Sequence, residues 1–203
     1  MKVALIGASG HAGSRILAEL ANRGHMVTAI VRHPDKIPTH DGVTTVKGDA
    51  HETPELVKLL AGHDAVISSI HFLSCDAPTL LRAIRQAGVC RYLVVGGAGS
   101  LEARPGVRVI DTPDVPAAYR AESSAGATFL DTLRTVSDLD WTFLSPSAEF
   151  VEGVRTGKFR LGEDALLHDG QGRSWISYED YAVALVDELE QPAHLQRRFT
   201  VGY

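Results

Sequence analysis

The chain opens with a unit that leaves few folds open. The apolar run Val3-Ala4-Leu5-Ile6 passes directly into Gly7-Ala8-Ser9-Gly10-His11-Ala12-Gly13, with a glycine at every third position, and then into a helical pattern carrying Ile16, Leu17 and Leu20. A short apolar strand, a tight glycine turn and an amphipathic helix make up the first half of a parallel βαβ crossover. Gly7 permits the tight turn, Gly10 lets a ligand approach the backbone, and Gly13 lets the helix sit close on the strand. The loop N–H groups and the positive end of the helix dipole then favour a diphosphate, so residues 7–13 read as a dinucleotide cradle.

The same alternation continues through Leu144. Strand patterns occur at Lys2 to Ile6, Met26 to Val31, Val43 to Lys47, Ala65 to Ser69, Tyr92 to Val95 and Trp141 to Leu144. Gly24, Gly62 and Gly88 follow helical stretches, where a left-handed cap favours a residue without Cβ. Thr53-Pro54 and Ala77-Pro78 place proline in a first helical turn. The pattern predicts a Rossmann-type doubly wound parallel α/β sheet with strand order 3-2-1-4-5-6.

Beyond Pro146 the pieces shorten to Gly157 to Leu161, Trp175-Ile176, a helix from Tyr178 to Glu190 and a strand pattern from Arg198 to Val201. Ser177-Tyr178-Glu179-Asp180 resembles a capping box with Asp in place of Glu. With little apolar content of its own, 146–203 is expected as a small C-terminal substrate-side lobe on a single domain, 1–203, whose dinucleotide-binding core is 1–145.

Composition removes several classes of function. The 203 residues, 44% hydrophobic and 22% charged, support a full globular core. A net charge of −5 with scattered Lys and Arg offers no footprint for nucleic acid. No apolar run approaches the roughly 20 residues of a membrane span, so no membrane partner is expected. Only Cys75 and Cys90 occur, too few for a disulfide framework and in keeping with a cytoplasmic setting. Among the nine histidines no two lie three or four apart, so no metal is expected. Oligomeric state is left open.

The end of the second strand selects the cofactor. An acidic residue there would bind a ribose 2′-hydroxyl, whereas this chain has Arg32, 19 positions after Gly13. A guanidinium pairs with a 2′-phosphate, so NADP(H) is preferred over NAD(H), and His33 offers a second contact. Ser68, Ser69 and Ile70 end the fourth strand on the carboxyl edge, where small side chains leave room for ribose. His71 follows near the expected nicotinamide ribose as a candidate substrate contact, and it also reads as a plain exposed loop histidine.

GASGHAG, followed by IVRHPDKI, GDAHETPEL, DAVISSI, VVGGAGSL and WTFLSPSAEF, then GKFRLG and SWISYEDYAVALVDELE, resembles the atypical short-chain dehydrogenase/reductases. The resemblance covers nearly the whole chain, and is nearest to the NAD(P)H-binding, NmrA-like group that includes flavin and biliverdin-IXβ reductases. It implies an adenine contact at Asp49 and Ala50, although Asp49 also reads as a plain turn cap. It implies nicotinamide contacts at Pro146 and Ser147. The biliverdin reductases carry a histidine about here, and this chain offers Ser147, Ala148 and Glu149 instead.

Typical short-chain dehydrogenases use a Tyr-x-x-x-Lys pair. Tyr119 stands in the right region, but Ser123 follows four residues later. Without that cation a tyrosine is a poor general base near neutrality, though it can still donate a hydrogen bond. Hydride transfer to a conjugated ring needs less, because water can supply the proton and the protein mainly orients the reactants. Ser100, after Gly96-Gly97-Ala98-Gly99, is the hydroxyl expected to face the nicotinamide, while the same run also reads as a flexible bend. Phe150 and Tyr178 are candidates to stack on a flat small-molecule acceptor. The expected activity is NADPH-dependent reduction of a flavin, quinone or similar molecule. The alternatives are a weakly catalytic NADP(H)-binding redox sensor and, less in keeping with the missing lysine and small C-terminal segment, sugar-nucleotide epimerase or dehydratase chemistry.

Overall fold

The computed structural model describes residues 1–203, with all side chains except that of Lys36. In chain order the elements are β1 (Lys2–Ile6), α1 (His11–Asn22), β2 (Met26–Val31), β3 (Val43–Lys47), α2 (Thr53–Leu60), β4 (Ala65–Ser68), α3 (Ala77–Gln86) and β5 (Arg91–Val95). They continue as β6 (Glu102–Arg104), β7 (Val107–Arg108), α4 (Ala117–Leu133), β8 (Asp140–Pro146), β9 (Glu149–Val151), β10 (Arg160–Gly162), β11 (Trp175–Ser177), α5 (Tyr178–Glu190) and β12 (Arg197–Gly202).

The main sheet has eight strands in the order β10-β12-β8-β5-β4-β1-β2-β3. The segment β3-β2-β1-β4-β5-β8 is the Rossmann order expected from the sequence, and β1 pairs in parallel with both β2 and β4. Two strands lie beyond that expectation. β12 pairs in parallel with β8, with Arg197 opposite Thr142 and Val201 opposite Pro146, and β10 closes the edge antiparallel to β12.

Helices cover both faces, which is why the central strands are almost continuously apolar. Along β1, Val3 and Leu5 meet Ile16, Leu17 and Leu20 of α1 and Tyr181, Leu185 and Leu189 of α5. Ala4 and Ile6 face the other way, toward Leu56 and Leu60 of α2, Leu80 and Ile84 of α3, and Leu130 and Leu133 of α4. Gly24, Gly62 and Gly88 take φ of 75°, 77° and 73°, the left-handed conformation expected of helix-ending glycines.

Ser177 caps α5, accepting the Asp180 N–H at 3.0 Å, but the reciprocal half of the capping box is replaced. The fully buried Asp180 carboxylate accepts instead from the N–H groups of Thr156 and Gly157, each at 2.8 Å, and from the Tyr203 hydroxyl at 2.7 Å. One methylene shorter than Glu, it fastens the 153–158 segment and the chain end to α5.

Candidate functional site

The carboxyl ends of β1, β2 and β4 open into a cavity of about 410 Å³. Of the expected dinucleotide residues, Gly7, Ser9, Gly10, Arg32, Asp49, Ala50, Ser69 and Ile70 line it, together with His71. Ile6, Ile30, Val31, Gly48, His51, Leu73 and Ser74 complete the wall and were not singled out from the sequence.

The glycines of the loop have separable reasons. Gly7 has φ of 84°, and a Cβ there would run into the carbonyl of Ser69. At Gly13 a Cβ would lie 3.0 Å from the Gly7 carbonyl carbon and 3.2 Å from Ala8 Cα, so the bare backbone lets α1 sit against the loop. A Cβ at Gly10, by contrast, would approach nothing closer than 3.5 Å. Its missing side chain serves no packing need within the chain and leaves the cavity wall open. α1 has no side-chain N-cap and no acidic residue in its first turn, so its leading N–H groups are available to an anion.

Several expected contacts are reassigned by side-chain direction. Ala8 and Ala12 point into the core at 0% and 8% exposure, which leaves them only backbone groups to offer. Arg32 and His33 are both exposed, yet only Arg32 borders the cavity. The Asp49 carboxylate accepts the His51 N–H at 3.0 Å, the turn-capping alternative, while its residue remains in the wall. Ser68 does not face ribose: it still pairs within β4, and its hydroxyl meets that of Tyr92 at 2.8 Å inside the core. Ser147 is likewise withdrawn. β8 runs on to Pro146, both residues are buried, and the Ser147 hydroxyl donates to the Val201 carbonyl at 3.0 Å.

A second group gathers around the starts of α1 and α5. His11 stacks on Tyr178 with centroids 5.6 Å apart and planes 12° from parallel. Phe150 lies 4.5 Å from Tyr178 and 4.6 Å from Tyr181. Arg15 binds Glu179 at 3.0 Å and Glu152 at 2.7 Å beside the Tyr178 ring. Partial burial raises the Tyr178 pKa, Arg15 opposes this, and Glu152, Glu179 and Tyr119 add to it. Burial drives the Tyr181 phenol far above its ordinary range, so it acts only as a neutral hydrogen-bonding group. Its hydroxyl donates to the Leu144 carbonyl at 2.7 Å and accepts the Gly96 N–H at 3.3 Å, bracing the tie between β8 and β5 that the Gly96 N–H makes directly by donating to the Leu144 carbonyl at 2.8 Å.

Ser100, beyond that tie, is 9% exposed, and its Oγ has no hydrogen-bond partner among the described residues. Tyr119 stands in the first turn of α4 at 66% exposure. Burial, with Asp76 and Asp49 nearby, pushes the Cys75 thiol up to about 11, which keeps it unreactive near the cavity. No helix among the described residues is long and apolar enough to cross a membrane.

The sheet order, the glycine cradle and the cleft at the strand ends define a Rossmann-type dinucleotide-binding protein. The chain belongs to the NAD(P)H-binding family, whose profile matches residues 7–192. YwnB of Bacillus subtilis, a protein of undefined activity, is 42% identical over 213 residues, spanning 99% of this chain and 98% of its own. A provisionally assigned epimerase from Bacteroides thetaiotaomicron superposes with a TM-score of 0.95 at 44% identity, over 100% of this chain and 96% of that one. A provisionally named NADH-flavin reductase from Streptococcus pneumoniae gives 0.86 at 37% identity, over 100% and 99%. The fold and the family match together mark the chain as an oxidoreductase-like NAD(P)H-binding protein.

Proposed function

We propose that the protein is an NADPH-dependent reductase that delivers a hydride to a flat, conjugated small-molecule acceptor such as a flavin or quinone. The observation that carries this reading is the cavity wall, where the open space at Gly10 adjoins the uncapped start of α1 while Arg32 stands at the end of β2. The N–H groups of the first turn of α1, residues 11–13, would hold the diphosphate, and Arg32 the 2′-phosphate that distinguishes NADP(H) from NAD(H). Asp49 and Ala50 would flank adenine, and Ser69 and Ile70 the ribose.

When bound, the nicotinamide supplies the hydride. The unpartnered Ser100 hydroxyl donates a hydrogen bond on the reacting side, and Tyr119 donates one to a polar edge of the acceptor. His11, Tyr178 and Phe150 give the acceptor an aromatic surface, with His71 at the cavity mouth. The accompanying proton comes from solvent, so the chain's contribution is orientation.

The test is oxidation of NADPH and NADH by the purified protein with flavin mononucleotide, a quinone and biliverdin as separate acceptors. The reading expects turnover with at least one acceptor and a preference for NADPH. Tight NADPH binding without turnover on any acceptor would point to a redox sensor, and absence of binding to either dinucleotide would refute the assignment.

A further inference from the structure

α4 carries a glycine in its interior, Gly126, at a cost of about 1 kcal/mol in helix propensity relative to alanine. The reason is an aromatic ring seated in the notch. A Cβ on Gly126 would lie 2.9 Å and 3.0 Å from carbons of Phe72, a residue of the loop between β4 and α3. The Phe72 ring continues into the core, 5.2 Å from Phe129 and 6.0 Å from Phe143. One turn earlier, the Glu122 carboxylate accepts the Phe72 N–H at 2.7 Å and the Leu73 N–H at 3.1 Å, and lies 3.4 Å from His71 Nδ1. α4 therefore grips one short loop twice, by a charge-assisted hold on its backbone and by a space left for its side chain.

That loop is a wall of the cavity. Ser69, Ile70, His71, Leu73 and Ser74 all line it, and Leu73 is 66% exposed. Tyr119, Glu122 and Gly126 recur at helical spacing on α4, so the loop is gripped on the helix face that Tyr119 begins.

We infer that Glu122 is a positioning residue: with the Gly126 notch it holds residues 70–74 in the conformation that walls the cofactor cavity, and so sets cofactor affinity. The inference rests on reading the cavity as the dinucleotide site. Without the carboxylate the loop samples other conformations, and the apparent Kd rises as the inverse of the fraction that remains competent.

The experiment measures Kd for NADPH and NADH, kcat at saturating cofactor and the thermal midpoint, for the unaltered protein and for Glu122→Ala, Glu122→Gln and Gly126→Ala. Glu122→Ala is expected to raise Kd for both dinucleotides roughly tenfold, leaving kcat at saturation within about twofold. Glu122→Gln keeps one acceptor oxygen and is expected to fall between. Gly126→Ala improves the helix propensity of α4 yet displaces Phe72, so it is expected to raise Kd with Glu122 intact. A purely structural role would lower the midpoint and leave Kd alone. Unchanged Kd in Glu122→Gln and Gly126→Ala would overturn the inference even if Glu122→Ala failed to fold, provided the unaltered protein binds. Failure of the unaltered protein to bind either dinucleotide would overturn the functional assignment and the inference with it.

Discussion

Gly10 and Gly13 offer a controlled pair, because both belong to the glycine loop and only one is required by the fold. A methyl group on Gly10 meets the Gly7 carbonyl oxygen at 3.5 Å and the Ser69 oxygen at 4.0 Å, ordinary contacts, and its φ of −74° and ψ of 170° suit alanine. Reduced freedom of the unfolded chain stabilises Gly10→Ala by about 0.4–1 kcal/mol, while alanine at an N-cap loses a similar amount. The thermal midpoint without ligand should therefore stay near that of the unaltered protein. On Gly13 the methyl runs into the Gly7 carbonyl oxygen, so backbone must move, at about 1–3 kcal/mol. At about 2–4 °C per kcal/mol for a chain of this size, that is a fall of several degrees.

NADPH binding should reverse the ranking of specific effects. On Gly10 the methyl occupies the space assigned to the diphosphate and displaces one or two charge-assisted hydrogen bonds worth about 1.5–3 kcal/mol each. Kd should rise at least tenfold, measured by titration calorimetry alongside melts with and without cofactor. If Gly10→Ala binds NADPH as tightly as the unaltered protein, the diphosphate does not lie against this loop and the cradle assignment is wrong.

Three further outcomes follow from single contacts. Arg32→Glu should weaken NADP(H) far more than NAD(H) in parallel titrations, and an equal loss for both would show that Arg32 does not read the 2′-phosphate. Tyr181→Phe removes the hydroxyl that braces the direct Gly96–Leu144 hydrogen bond while keeping the ring against Phe150. It should cost about 1 kcal/mol of stability and slow turnover several-fold at unchanged NADPH Kd, and an unaltered kcat would refute a role for that tie. Glu19, 4% exposed, binds Arg155 and Arg23 at 2.8 Å each; the Arg155 hydrogen bond lowers its pKa most, and burial opposes it. A carboxylate depressed in the folded state stabilises fully above its unfolded value, and the contribution disappears as pH falls through the folded one. Urea melts between about pH 7 and 3 should show that acid loss flattened in Glu19→Gln.

The parallel sheet was legible because strands buried on both faces are written as continuous apolar runs, and because glycine marks the helix ends at Gly24, Gly62 and Gly88. Side-chain direction at strand ends was not. Ser68 and Ser69 both looked like cavity residues, but β4 holds its register through Ser68, opposite Ile6, so successive side chains point to opposite faces and only Ser69 reaches the cleft. Ser147 turns away from the cleft for a related reason. The apolar pattern of β8 ends at Leu144, yet β12 extends the ladder to Pro146 and draws the Ser147 N–H onto Val201. That pairing is a long-range event with no local signature, since β12 begins with two arginines. Glu122 carried no signal of its own, but Gly126 did: a glycine inside a helix asks what lies against it.

α4 is where sequence and structure bear most directly on the class of reaction. A lysine four residues after Tyr119 would bring a cation one helical turn from the phenol. Here Glu122 and Gly126 hold the loop after β4, and Ser123 packs so closely on the loop after β5 that a Cβ on Gly99 would lie 2.9 Å from its own. The helix thus anchors the loop that walls the cleft and packs on the loop after β5, while Tyr119 extends from its first turn with no lysine in the adjacent positions. A scaffold of this kind suits chemistry in which the barrier falls mainly through holding two flat partners in register, with protons exchanged through water. It suits poorly the oxidation of an alcohol, which needs a base within hydrogen-bond reach of the hydroxyl. Adding the missing cation by Ser123→Lys would accordingly disturb the Gly99 contact before it could assist Tyr119, so a loss of turnover, and no gain of alcohol dehydrogenase activity, is the expected result.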